Sequence, residues 1–240
     1  MPLLEVEELR AGYGASAVLH GVSLSVEEGE TDALLGRSGA GKSTTLLCVA
    51  GFLRPWGGSI RFDGREVGGT DTGTLVGRGV ALVPQGRRGF ADLTVDQNLS
   101  VAARPTKRGQ AAMARNRELV FDLFPVLAER SERYARRLSR HERQLLGVGR
   151  AIMTAPRLVL VDEVSSGLEP EQSQDVFRLT RRLNAEGITV LLAEQNAGIL
   201  RHADRAFVLE NGCVLGAGQA REIAEGDELR QSYLGAPLAG

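Results

Sequence analysis

Lysine is nearly absent from this chain of 240 residues: Lys and Arg together number 29, but Lys42 and Lys107 are the only lysines. Cysteine is scarce too, and Cys48 and Cys213 lie in apolar stretches, which predicts buried thiols rather than a disulfide framework. No run of about 18 apolar residues occurs, so no segment is predicted to cross a membrane. The first residues lack the basic-then-apolar order of a secretion signal, and we therefore expect an intracellular protein.

The chain also has almost no net charge, since the formal value at pH 7 is −1. This balance gives no global electrostatic reason to expect nucleic acid as a partner. Hydrophobic residues at 42% and charged residues at 25% are typical of a soluble globular protein. The length fits one large α/β domain with room for a small insert.

One of the two lysines stands in a complete glycine-rich loop, Gly36-Arg37-Ser38-Gly39-Ala40-Gly41-Lys42-Ser43. An apolar stretch, 33–35, leads into the loop, and residues 44–47 continue from it at helical spacing, which is the strand–loop–helix context of a phosphate-binding P-loop. Its glycines let successive N–H groups turn toward a polyphosphate, and the following helix adds its positive end. We predict nucleotide binding, with Lys42 on the β- and γ-phosphates and the Ser43 hydroxyl on Mg²⁺.

Apolar patterns predict the strands around this loop. Residues 4–9 and 22–26 alternate like half-buried antiparallel strands, whereas 158–161 and 188–192 are continuous apolar runs typical of parallel strands. A helix-like stretch, 171–184, joins the two continuous runs in βαβ order, so a parallel sheet is expected.

Two further segments have their own patterns. Residues 207–215 predict a late hairpin that turns at Asn211-Gly212. The stretch from about 93 to 138 is rich in Arg and Ala, helical in pattern and without strand-like runs, which indicates a helical insert. Within it, residues 104–109 are predicted to form an exposed bend.

An acidic pair follows the strand predicted at 158–161. Asp162 ends that strand and is placed to hold Mg²⁺, and Glu163 comes directly after it. In phosphoryl transfer the protein mainly positions reactants and neutralises charge, so a carboxylate beside the magnesium ligand can orient the attacking water.

With these motifs in place, the chain resembles an ATP-binding-cassette (ABC) transporter ATPase subunit over nearly its whole length and in the family's motif order. The resemblance implies an α/β P-loop NTPase fold with a mixed central sheet, an antiparallel β subdomain and an inserted α-helical subdomain. It implies one domain, 1–240, with the nucleotide-binding core in 1–92 and 156–240. The helical subdomain, with the signature region, would occupy 93–155.

The resemblance also gives the motif residues their roles. The nucleotide-binding residues would be Tyr13, on which adenine stacks, Gln85 of the Q-loop, and Gly36, Arg37, Ser38, Gly39, Ala40, Gly41, Lys42, Ser43 and Thr44 of the P-loop. The catalytic residues would be Lys42, Glu163 and Gln195, the last of these at the switch position, and Mg²⁺ would be held by Ser43, Gln85 and Asp162. The signature region, acting in trans on the partner's nucleotide, would be Ser139, Arg140, His141 and Glu142, and the D-loop would be 165–170.

Finer features resemble the importer subunits for branched-chain amino acids (LivF type) and the related urea and short-amide importers; they lie at 86–88, 123–125, 194–196 and 203–205. Glutamine at the switch position is usual in that subgroup. Gln195 can hydrogen-bond a γ-phosphate or water but cannot act as a charged acid. Gln85 is closer to the urea-type members and Glu194-Gln195-Asn196 to the amino-acid type, and we favour branched-chain amino acids.

The sequence departs from the family at four positions. Arg140 and His141 replace the two signature glycines, and we expect these long side chains to obstruct the approach to the partner's phosphate or to redirect the loop. Compensation by the charge of Arg140 is the alternative. Val164 stands where the family has proline, which loosens the turn that positions Glu163. Asp32 interrupts the strand before the P-loop, at a cost that protonation or an arginine partner would relieve.

The resemblance implies a subunit that hydrolyses ATP to ADP and phosphate and powers uptake of branched-chain amino acids, or of urea or short amides. Its partners would be a second ABC ATPase subunit, transmembrane permease subunits and, indirectly, a periplasmic or extracellular solute-binding protein. We favour a heterodimer, because two altered signatures would leave a homodimer with weak turnover. The chain would be cytoplasmic and peripheral on the inner face of the cell membrane.

The alternative is a subunit that binds ATP with little or no hydrolysis and serves as the structural or regulatory half of a heterodimeric pair. The altered signature, Val164 and Asp32 favour this alternative. A family member acting in DNA repair or on the ribosome would usually need two cassettes or long inserts, and the sequence has neither.

Overall fold

A computed structural model describes residues 2–86 and 89–226, and there the chain forms two β-sheets with helices packed around them. Arg87 and Arg88, part of the resemblance at 86–88, lie outside the described residues. The strands are β1 (Leu4–Tyr13), β2 (Ser16–Val26), β3 (Thr31–Leu35), β4 (Gly57–Phe62), β5 (Arg65–Glu66), β6 (Val80–Val83), β7 (Leu158–Asp162), β8 (Thr189–Glu194), β9 (Arg205–Glu210) and β10 (Cys213–Gln219). The α-helices are α1 (Lys42–Val49), α2 (Thr72–Arg78), α3 (Val95–Ala103), α4 (Lys107–Ala111), α5 (Met113–Leu123), α6 (Pro125–Glu129), α7 (Arg140–Ile152), α8 (Pro170–Ala185) and α9 (Ala220–Glu225).

The central sheet has the strand order β10-β9-β3-β8-β7-β6. Its strands are parallel except for β10, which returns beside β9 through a turn at Asn211 and Gly212, both in left-handed conformation. In register, Leu35 lies opposite Glu194 and Asp162 opposite Ala193. The carboxyl ends of β3, β7 and β8 therefore meet at one edge, which is where open α/β sheets bind ligands.

A second, antiparallel sheet, β2-β1-β4-β5, packs against the central one. The core between the two sheets includes Leu4, Leu34 and Phe207, with Leu46 of α1. The two sheets and the helices after β6 confirm the predicted α/β fold with an antiparallel β part.

The helices α3 to α7 fill the stretch where the sequence predicted a helical insert. Their span supports the boundaries at 93 and 155, which we keep as a proposal. The predicted bend at 104–109 is shorter than expected. Thr106 Oγ accepts a hydrogen bond from Gly109 N (2.9 Å) and caps α4, so residues 107–109 are helical.

The two cysteines differ in burial. Cys48 is buried in α1, and burial raises the pKa of its thiol to about 12. Cys213 begins the edge strand β10 and is partly exposed, so the prediction of a buried thiol is wrong for this residue. Within 2–86 and 89–226, no helix combines the length and the apolar character needed to cross a bilayer.

Candidate functional site

The P-loop connects the end of β3 to the start of α1, as the sequence predicts. Gly39 and Gly41 have positive φ values of 82° and 108°, which allow the backbone to curl between strand and helix. Lys42 is 3% exposed, and its Nζ donates to the carbonyl oxygens of Gly36 (2.9 Å) and Arg37 (3.1 Å). The ammonium group is thus folded back over the loop. Residues 37–39 stay exposed, so their backbone is open to a ligand.

Ser43 and Asp162 come together at the edge of the sheet. Ser43 Oγ donates a hydrogen bond to Asp162 Oδ1 (2.9 Å), although the two residues are 119 positions apart. A hydroxyl and a carboxylate are the hard oxygen ligands that Mg²⁺ takes when phosphates and water supply the rest of its shell. Among the described residues, no group of three or more His, Cys, Asp or Glu forms a metal cage. The pair fits the predicted ion without such a cage.

Three predicted residues converge on the carboxylate of Glu163. Lys42 Nζ lies 3.1 Å from Glu163 Oε1, with the two side chains 3% and 12% exposed. Gln85 Nε2 donates to Glu163 Oε2 (2.7 Å), and Gln195 Nε2 donates to Glu163 Oε1 (3.0 Å). One ammonium and two amide groups, brought from the P-loop, the end of β6 and the end of β8, therefore surround one carboxylate.

Glu194 is a residue of this site to which the sequence analysis gave no role. It ends β8 and is 2% exposed, and its carboxylate accepts hydrogen bonds from Ser165 N (2.9 Å) and Ser165 Oγ (2.7 Å). Burial raises the pKa of Glu194, while the bonds from Ser165 act in the opposite direction. The sequence does carry a sign of this role, because Glu194 is an acidic residue at the end of a continuous apolar run, 188–193.

Tyr13 lies at the end of β1, opposite Ser16, and 51% of it is exposed. Half of the side chain is therefore open to a flat ring. Its role in holding adenine stays a prediction.

The signature region starts a helix despite the loss of both glycines. Ser139 Oγ accepts from Glu142 N (3.2 Å), and Glu142 Oε2 accepts from Ser139 N (2.8 Å), which is a capping box. Helix α7 then begins at Arg140. The carboxylate of Glu142 also pairs with Arg130.

Arg140 packs on the D-loop of its own chain. Gly167 has φ +67°, and a Cβ at that position would clash with the Arg140 guanidinium. His141 is half-buried; burial lowers its pKa, opposed by the negative charge of Asp175. The structure thus shows where these long side chains lie in one chain, and obstruction in trans stays a prediction.

A cavity of about 500 Å³ adjoins Glu163. Its lining includes the start of the signature helix and the Q-loop: Gln85, Gly86, Arg140, Arg143, Gln144, Glu163 and Ser166. A smaller cavity of about 300 Å³ lies on the D-loop side and is lined in part by Ser165, Ser173, Glu194 and Gln195. Glu163 lines both cavities.

Asp32 is fully buried in β3, on the face of the sheet that also carries Leu34. Within the described part of the chain, neither of its carboxylate oxygens has a hydrogen-bond partner. Burial, reinforced by the negative charge of Glu30, raises the pKa of Asp32 to about 7. Arg205 opposes this shift but does not reverse it, so about half of the Asp32 carboxyl groups carry a proton near pH 7.

Known proteins are similar to this chain in sequence and in fold. The ABC transporter family model matches residues 19–166. The chain is 40% identical to the high-affinity branched-chain amino acid transport ATP-binding protein BraG of Pseudomonas aeruginosa, covering 97% of this chain and all of BraG. It is 31% identical to the corresponding protein BraF of the same organism, covering 98% of each. A crystal structure of an ATP-binding cassette of an ABC transporter, in its ADP conformation, superposes with a TM-score of 0.84 at 26% identity over 98% of this chain and all of the other.

A family model over most of the chain and relatives that match it almost from end to end agree with the P-loop, with the acids that close β7 and with the two-sheet fold. The chain therefore belongs to the ABC transporter family, as one of its ATP-binding, ATP-hydrolysing subunits.

Proposed function

We propose that this chain powers an importer of branched-chain amino acids, with ATP and Mg²⁺ bound at the edge of the central sheet where β3, β7 and β8 end. The observation that carries the proposal is the convergence of Lys42, Gln85 and Gln195 on Glu163, beside the Ser43–Asp162 pair. The likeness to BraG along nearly the whole chain supports the choice of solute over urea or short amides.

The nucleotide would lie along the P-loop and the start of α1. Exposed backbone at 37–39 and the first turn of α1 supply N–H groups, and the Lys42 ammonium supplies the positive charge. The proposed nucleotide contacts are Tyr13, Gly36, Arg37, Ser38, Gly39, Ala40, Gly41, Lys42, Ser43, Thr44 and Gln85. Ser43 and Asp162 would hold Mg²⁺, with the amide oxygen of Gln85 as a third ligand, and the ion would neutralise phosphate charge.

Glu163 would act as the general base. An attacking water gives its proton to the carboxylate while its oxygen bonds to the γ-phosphorus and the bond to ADP breaks. Gln195 already holds the Glu163 carboxylate and would orient the same water through its amide. The γ-phosphate would take over the Lys42 ammonium from Glu163, which leaves the base free to accept a proton.

The test is Glu163→Gln, which keeps the shape of the side chain and removes its basicity. We expect turnover to fall by about 100-fold or more while ATP binding is retained, because general-base catalysis contributes on the order of 10²–10⁴. Glu171→Gln, on the exposed start of α8, is the matched control and should leave turnover unchanged. Lys42→Ala should abolish saturable ATP binding. Turnover unaltered by Glu163→Gln, or too low to be measured before the change, would favour the alternative of a passive ATP-binding subunit.

The partner would be a second, different cassette with an intact signature. BraG and BraF are two ATP-binding proteins for the same transport in one organism, which supports a mixed pair. In such a pair the P-loop of this chain meets the glycine signature of its partner, and one site stays competent. Arg140→Gly combined with His141→Gly should raise hydrolysis by the homodimer, and an unchanged rate would refute obstruction.

Permease subunits at the inner face of the cell membrane, and through them a solute-binding protein, complete the proposal. A groove of about 680 Å³ between α2, β6, α3 and α7 supports it. Apolar residues such as Val76, Leu82 and Ala102 line the groove, and Phe90, half exposed, lies at its rim with the Arg150 guanidinium 4.7 Å from its ring. Because the groove adjoins the Q-loop, a permease segment seated there would sense the position of Gln85.

A further inference from the structure

Glu194 joins three parts of the site. Its backbone carbonyl accepts from Gly36 N (3.3 Å), at the start of the P-loop. Its carboxylate accepts hydrogen bonds from the N–H and the hydroxyl of Ser165, at the start of the D-loop. Its chain neighbour Gln195 donates to Glu163. A single buried residue therefore contacts the phosphate loop and the D-loop and precedes the switch amide.

The segments 163–165 and 193–195 are connected at three successive points. Glu163 N donates to Ala193 O (2.9 Å), Ser165 donates twice to Glu194, and Gln195 donates back to the Glu163 side chain. The middle connection is made by the Glu194 carboxylate. It fixes the chain two residues after Glu163, where the central sheet no longer supplies a ladder partner.

The turn at this point needs such support. Glu163 has φ +45°, a left-handed conformation that costs a non-glycine residue free energy and persists only where its surroundings hold it. Val164, which follows, lacks the ring that restricts φ in a proline. Ser165 is the next residue, and Glu194 holds both its N–H and its hydroxyl.

We propose that Glu194 is a positioning residue for ATP hydrolysis: by binding Ser165 it holds the turn through the left-handed Glu163 and thereby aims the Glu163 carboxylate. The inference rests on the proposed role of Glu163 as the base. Both oxygens of the Glu194 carboxylate are bonded to Ser165, and Glu194 is not among the proposed nucleotide contacts, so we expect its effect on turnover rather than on ATP affinity.

The test compares Glu194→Met with Glu194→Gln in the full chain paired with its partner cassette. Methionine matches the length of glutamate but accepts neither strong bond, so we expect kcat to fall by about 10-fold or more while the Kd for ATP changes by less than about 3-fold. Glutamine can accept from Ser165 N and donate to Ser165 Oγ, so it should keep kcat within about 3-fold of the wild type.

Ser165→Ala removes one of the two bonds and should lower kcat by a smaller factor. The double variant Glu194→Met/Ser165→Ala should be no slower than Glu194→Met alone, because both changes break the same connection. Ser173→Ala, in the wall of the 300 Å³ cavity that Glu194 also lines, is the control and should leave kcat unchanged, because the bonds of the Glu194 carboxylate go to Ser165.

The inference is overturned if Glu194→Met leaves kcat within 2-fold, if ATP affinity falls in parallel with kcat, or if the two changes are additive. Should Glu194→Met fail to fold, Ser165→Ala decides, and an unchanged kcat in that variant refutes the proposal. Wild-type hydrolysis that Lys42→Ala leaves intact would defeat the proposed function and this inference together. Lys42-dependent hydrolysis that is indifferent to Glu194→Met would defeat this inference alone.

Discussion

Two buried carboxylates on neighbouring strands of the central sheet have opposite surroundings. Glu194 ends β8 and accepts two hydrogen bonds from Ser165, whereas Asp32, inside β3, has no hydrogen-bond partner within 2–86 and 89–226. The strands pair directly, with Asp32 opposite Leu191 and Leu35 opposite Glu194. Where a strand ends, loops bring free backbone donors; within the strand the sheet uses those donors itself. A buried acid is thus supported at the site edge of this sheet and unsupported in its interior.

The largest expected effect comes from removing the unsupported acid. Asp32→Val should raise the free energy of unfolding by about 4 kcal/mol at pH 8, because it deletes a buried carboxylate whose pKa stands near 7. Urea unfolding at pH 8 measures the change. Asp32→Asn, which loses the charge but keeps an unpaired polar group, should gain less. Equal or lower stability of Asp32→Val would show that the carboxylate has support.

The same acid should make stability depend on pH. The native pKa of Asp32 lies above the unfolded value of 3.8, so the native state keeps its proton while the unfolded chain loses it. Stability therefore falls as pH rises from about 4 to 7 and levels off above 7. The advantage of Asp32→Val over the wild type should shrink by most of 4 kcal/mol between pH 8 and pH 4. A constant advantage would contradict the raised pKa.

The supported acid should respond with the opposite sign. Burial raises the pKa of Glu194 as it does that of Asp32, but we expect Glu194→Met to lower the free energy of unfolding by about 1–3 kcal/mol, because the loss of an acceptor for the buried N–H and the hydroxyl of Ser165 outweighs the relief of the buried charge. The measurement is the same urea titration at pH 8. Stabilisation by Glu194→Met, as expected for Asp32→Val, would remove the contrast between the two carboxylates.

The smallest effect is expected for Glu194→Gln. Since the amide can accept from Ser165 N and donate to Ser165 Oγ, the free energy of unfolding should change by less than about 1 kcal/mol. A loss as large as that of Glu194→Met would mean that the negative charge, rather than the two hydrogen bonds, supports Glu194.

Local patterns predicted the part of the site that local residues build. The P-loop and the acids after 158–161 follow from spacing and apolar runs, and the structure places Lys42, Ser43, Asp162 and Glu163 together. Gln85 and Gln195 came from the family resemblance, yet their convergence on Glu163 depends on loops that only the folded sheet brings together.

Other features lie beyond single-sequence reasoning because they depend on contacts between distant segments. The bonds from Ser165 to Glu194 span 29 positions, and Arg140 reaches Gly167 across the site. For Asp32 the sequence predicted a cost and left protonation and an arginine partner open. In the structure the Arg205 guanidinium lies over the Phe207 ring at 5.5 Å, and Arg205 lowers the pKa of Asp32 without offsetting the rise that burial causes, which favours protonation.

The contact between Lys42 and Glu163 has a consequence for the subunit before ATP binds. As long as the ammonium and both amides are engaged by this carboxylate, the base cannot turn toward a stray water molecule. An arriving triphosphate competes for the same ammonium with more charge than one carboxylate carries. Binding of ATP and release of the Glu163 carboxylate from Lys42 would then be a single event. Without bound ATP the carboxylate would stay engaged.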